Sequence, residues 1–137
     1  MDDFTKTVGE KALGSLYQKT VELLSSGIPG FPYAINYMVK LEMSIRAMDS
    51  VMQPLCRKNP QYMTTRNDMV NELSRLAKET IHVSDEALKT KIYMDRFALL
   101  RTWFEALNDV IDTNNLLFAT SVIYQEKPSE QDEETPP

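Results

Sequence analysis

Between Tyr33 and Leu55 apolar residues recur at helical spacing. Met38, Leu41, Ile45, Met48, Met52 and Leu55 step by three and four, and Tyr37 and Tyr33 extend the seam toward the N-terminus. A second set, Val39, Met43, Ala47 and Val51, runs beside the first. The combined stripe is wider than a two-stranded coiled coil needs. Such a helix is expected at the centre of a bundle, buried by several neighbours at once. Pro54 lacks an amide hydrogen and clashes with the carbonyl four residues back, so the helix should kink or end near Gln53.

The same pattern predicts the other helices. Residues 2 to about 26 place Phe4, Val8, Leu13, Leu16, Tyr17, Val21, Leu23 and Leu24 on a helix that starts with Asp2 and Asp3 at its positive end. Gly9 and Gly14 weaken its first half. Two glycines and two prolines in Ser25–Pro32 then break the chain. Ile28 and Phe31 in that loop either tuck under the bundle or present a small anchor to a partner. Asn59 before Pro60, or the box-like Thr65-Arg66-Asn67-Asp68, begins a third helix. It runs to about Ile81 and buries Met69, Val70, Leu73, Leu76 and Ala77. Ser84 is expected to cap a fourth helix whose apolar face runs from Leu88 through Ile92, Tyr93, Phe97, Leu100, Trp103, Phe104, Leu107 and Val110 to Ile111. Asn114-Asn115 can end it, and Leu116 to Tyr124 form a short fifth helix or prolong the fourth.

These expectations define an all-α protein: a four- to five-helix bundle over residues 1–125, followed by a disordered acidic C-terminal tail over residues 126–137. A chain of 137 residues suits one domain. The tail holds one lysine against five carboxylates, and so carries four of the five net negative charges. The bundle itself is close to neutral. Cys56 is the single cysteine, which excludes an intrachain disulfide and a cysteine-rich zinc site. The first residues show neither the basic nor the apolar region of a signal peptide. No apolar run approaches the roughly 18–20 residues of a membrane span. A cytoplasmic protein, in its own cell or in a host, is the expectation.

Catalytic chemistry finds little support. His82, the sole histidine, falls where the third helix ends and reads as a capping or surface residue. Cys56 has Arg57 and Lys58 beside it but lacks the signature of a nucleophile, and a structural thiol is the simpler reading. Glu105, Asp109 and Asp112 share one helical face with Asp95 farther back, yet the opposite face is apolar, which makes them a solvated side rather than a magnesium site. One histidine cannot supply the usual two of a Glu-x-x-His metal site, and no phosphate loop occurs. No enzyme activity, metal or cofactor is expected.

Two classes of partner remain. Arg57, Lys58, Arg66, Asn71, Arg75, Lys78, Lys89 and Lys91 gather around the third helix and could meet a nucleic-acid backbone. Against that, Asp68, Glu72 and Glu79 are interleaved and the pI is about 4.9, opposite to the usual basic footprint. The reading favoured by the apolar pattern is a protein–protein interaction module, homo-oligomeric and accessory or regulatory in role. Its candidate interface is Val39, Met43, Met48, Met52, Ile28 and Phe31, because unbranched thioethers suit adaptable contact surfaces. The profile is similar in style to small viral or phage accessory proteins, with no residue carrying the likeness.

Overall fold

The computed structural model describes residues 3–30 and 32–114, with side chains from Lys11 onward. Five helices follow in order: α1 (Asp3–Ser26), α2 (Ala34–Val51), α3 (Gln53–Cys56), α4 (Pro60–Ile81) and α5 (Glu86–Asn114). No strand occurs among the described residues. The chain is all-α, and the expected disordered tail and the expected fifth apolar segment lie outside the described residues.

Local chemistry sets the boundaries. Gly27 takes a φ of 75°, a left-handed conformation that costs a glycine nothing and closes α1. Val51 ends α2, and Pro54 falls in the first turn of the short α3, where its missing amide has no helical partner to lose. Asn59 Oδ1 accepts from the Tyr62 amide at 3.0 Å, with Pro60 next, so α4 begins at the earlier of its two candidate starts. The cap of α5 is Asp85 rather than Ser84. Its Oδ1 accepts from the Ala87 amide at 3.3 Å and its carbonyl accepts from Lys89.

Packing is organised by α2 and α5, which lie side by side and run in the same direction. Tyr37 stacks on Phe97, and Arg46, farther along α2, reaches Trp103 farther along α5. Helix α1 lies antiparallel on one flank of this pair and α4 on the other. The α1–α2 seam is close because its central residues are small: buried Thr20 and Ser44 meet hydroxyl to hydroxyl at 2.5 Å. Tyr37 also donates its hydroxyl to the Leu23 carbonyl, tying the start of α2 to the end of α1.

Met38, Leu41, Ile45 and Met48 are fully buried, together with Leu100, Trp103 and Leu107 of α5. Burying each such side chain contributes about 1.5–3 kcal/mol. Several positions of the predicted apolar faces emerge instead, among them Val21 and Tyr33, the latter outside α2 at its N-cap and 67% exposed. Ala77 is exposed because α4 packs chiefly on one neighbour, which narrows its buried stripe to Tyr62, Leu73 and Leu76. Leu88 is exposed because α5 has 29 residues against 18 in α2, and so overhangs it.

Candidate interaction surface

Helices α1 and α5 pack along α2, α4 reaches it at Asp49, and its outward side is left bare. The bare side centres on Met43, with Val39 and half-buried Ala47 one turn to either side, and Ile35 and Val51 continue the row as it winds around the helix. Residues four apart on a helix sit about 6 Å from one another, so these five make one continuous ridge. Met43 is 64% exposed, Ile35 51% and Val39 46%. Single exposed apolar residues are ordinary, whereas a contiguous row marks a contact surface. Polar residues border the ridge: Asn36 and Lys40 on one edge, Ser50 with Glu42 and Arg46 on the other, where Glu42 and Arg46 reach Arg96 and Trp103 of α5. Arg46 Nε holds Glu42 Oε2 at 2.8 Å, and Arg96 Nη2 approaches Glu42 Oε1 at 3.7 Å.

This geometry divides the predicted interface. Val39 and Met43 lie on the ridge. Met48 and Met52 do not: they are 0% and 3% exposed and belong to the core, where Met48 Sδ accepts from the Thr20 hydroxyl of α1 at 3.5 Å and Met52 caps the end of α2. Ile28 is half-buried and lines a separate open hollow of about 530 Å³ with Pro29, Ala34, Tyr93, Met94 and Phe97. Arg101 stands at the same hollow, its guanidinium 4.8 Å from the Phe97 ring centre. Phe31 lies outside the described residues. Ile35 was legible four residues before Val39 yet is absent from the predicted set.

A polar cluster lies within the opposite side of the same helix. Asp49 is buried on the α4 flank of α2 and accepts from the Tyr62 hydroxyl at 2.5 Å and from Arg66 Nε at 3.2 Å. Trp103 Nε1 donates to the Tyr62 oxygen at 2.9 Å, so α2, α4 and α5 are joined through one phenol. The guanidiniums of Arg46 and Arg66 lie 5.4 and 5.9 Å from the Trp103 ring centre. Burial and the Asp49 hydrogen bond push the Tyr62 hydroxyl well above its ordinary pKa. Burial, then the nearby Asp49 charge, push the Cys56 thiol up to about 11. A thiol so held is a poor nucleophile. Because its members satisfy one another, the cluster acts as a clasp between helices. A carboxylate on the face that carries Ile45, Met48 and Met52 was the signal for it, since a buried acid needs partners.

Three of the seven cations around α4 are held in ion pairs. Arg66 is committed to Asp49, Arg75 is bracketed by Glu72 and Glu79, and Lys91 pairs with Asp95 at 3.2 Å. Arg57, Lys58, Asn71 and Lys78 face solvent, and Lys89 is half-buried. Along α4 three cations are interleaved with three carboxylates, so the helix carries no net charge. Glu105, Asp109 and Asp112 are exposed on α5, and no group of three metal-ligating side chains converges among the described residues. His82 is exposed at the C-terminal cap of α4.

The described residues therefore define a small all-α bundle whose most accessible organised feature is an apolar ridge on its central helix. No known family model matches this sequence, and neither a curated protein nor a solved structure is detectably similar to it.

Proposed function

We propose that the chain is a non-enzymatic interaction module that docks another protein on the outward ridge of α2. The observation that carries this reading is the row through Val39, Met43 and Ala47, held on the bare side of the best-packed helix of the bundle. A rigid helix is a suitable platform for such a surface, because little conformational freedom is lost when a partner binds. The surrounding Asn36, Lys40, Glu42, Arg46 and Ser50 supply a polar rim around an apolar centre, as protein interfaces have. Accessory or regulatory action follows from occupancy of that ridge rather than from bond chemistry.

A photo-activatable aromatic residue placed at Met43 tests the reading in the cell that makes the protein. Adducts should form from position 43 and be missing when the same residue replaces Glu105 on α5. Equal adducts from both positions, or none from position 43, would remove the support for a docking ridge.

A further inference from the structure

We propose that the hollow between α5 and the α1–α2 loop binds a straight-chain fatty acid, with the carboxylate on Arg101 and the chain laid along α5 toward Thr90. The site shares no residue with the docking ridge and does not depend on it. Its volume of about 530 Å³ falls within the span of small-molecule sites, roughly 300–1,000 Å³. Its shape is long. Thr90, Tyr93, Phe97 and Arg101 step by three and four residues along one stripe of α5 and form the floor. The eleven-residue step from Thr90 to Arg101 makes that floor about 16 Å long at the helical rise. Ile28, Pro29 and buried Ala34 make the facing wall. Gly30 adds no side chain to it, and the space where its Cβ would stand is open. An apolar chain lying in the hollow covers half-buried Phe97 and also Met94, which is 61% exposed.

The charge of the lining selects the head group. Arg101 is the one charged residue among those described at the hollow. Its guanidinium sits over the Phe97 ring, 4.8 Å from the centre, which anchors it at the end of the floor without a carboxylate. The ion pairs among the described residues involve Arg46, Arg66, Arg75, Lys91 and Arg96, so Arg101 keeps its N–H fork for a ligand. A carboxylate matches that fork with two oxygens and cancels its charge. A phosphate would bring a second negative charge without a second described cation to meet it, and an amine would find no described acid at the hollow. Thr90, at the far end, already donates its hydroxyl to the Glu86 carbonyl at 2.9 Å, so a second polar group on the ligand gains no donor there. A cation at one end of a long apolar floor is the complement of an acyl chain with an acid head.

The test is a titration of the full chain with octanoate, and with octanol as its uncharged counterpart, followed by backbone amide shifts in nuclear magnetic resonance spectra. Shifts should centre on Thr90, Met94 and Arg101, and octanoate should bind the tighter of the two. R101Q should weaken octanoate at least about fivefold, the loss of a partly screened charged contact, and leave octanol unchanged. Arg101 is exposed and holds no ion pair among the described residues, so the circular dichroism melt of R101Q should match that of the parent. Hexanoate, octanoate and decanoate should tighten in that order, by up to about tenfold for each two methylenes buried. Met43→Asp, on the ridge of α2, should bind octanoate as the parent does.

Absence of octanoate binding at millimolar concentration overturns the proposal. So does an R101Q protein that binds octanoate unchanged or loses octanol equally, because the head group is then not on Arg101. Loss of binding in Met43→Asp overturns it as well, since the chain then lies on the ridge of α2.

Discussion

The two faces of α2 are built from similar residues and do opposite things. The inward face buries Met38, Leu41, Ile45 and Met48 in the core and fastens Asp49 to Tyr62 and Arg66 of α4. The outward face sets Ile35, Val39 and Met43 in water. Methionine occurs on both, so residue type alone does not distinguish core from contact surface. What distinguishes them is the supply of neighbours: α1 and α5 pack along α2, α4 reaches it at Asp49, and no helix among the described residues covers its outward side. An amphipathic pattern reports how much apolar surface a helix carries, and only the packing reports how much of it is used.

Substitutions should separate the faces sharply. The largest effect is expected for Trp103→Ala, which removes a fully buried indole and its bond to Tyr62. It should cost about 3–5 kcal/mol in denaturant unfolding. Asp49→Ala comes next, at about 2–3 kcal/mol, because it strands the Tyr62 hydroxyl and the Arg66 guanidinium. The estimate is held below that for a fully buried pair because Arg66 reaches solvent. Asn59→Ala should cost about 1 kcal/mol, the usual loss of an N-cap. On the outward face Met43→Ser should change stability by no more than about 0.5 kcal/mol, within the range of ordinary surface positions, while weakening attachment of the docked protein. Equal destabilisation by Met43→Ser and Asp49→Ala would erase the distinction between the two faces.

Alkaline pH probes the inward face by itself. Cys56 is held neutral by burial, with its folded pKa raised from 9.0 to about 11, and Tyr62 is displaced in the same direction. The unfolded chain ionises its thiol first, so the stability tied to the neutral thiol is complete below pH 9 and is lost as pH climbs toward 11. Melting temperature should therefore fall across that window, and Cys56→Ala should flatten part of the fall. A thiol that titrates near pH 9 in the folded protein would contradict this account.

The helices and most of their ends could be read from the chain because they depend on local rules. Apolar period located all four long helices, the glycine and proline cluster located the first break, and Asn59-Pro60 located the start of α4. Contacts between helices were a different matter. Asp49 looks like one more surface acid until Tyr62 and Trp103, 13 and 54 residues later, are brought to it by the fold. Likewise Met48 and Met43 are equivalent in chemistry and differ only in which side of α2 faces the core. The outward stripe was visible as a pattern, and Val39 and Met43 were named from it. Their exposure follows from where α1 and α5 come to rest.

The central claim is that the outward ridge of α2 is a contact surface. A photo-activatable residue walked over exposed positions of the bundle, in the cell that makes the protein, tests it residue by residue. The account predicts adducts from Val39 and Met43 and none from Glu105, Asp109 or Asp112 on α5. Adducts centred on another helix, or none from α2, would contradict it.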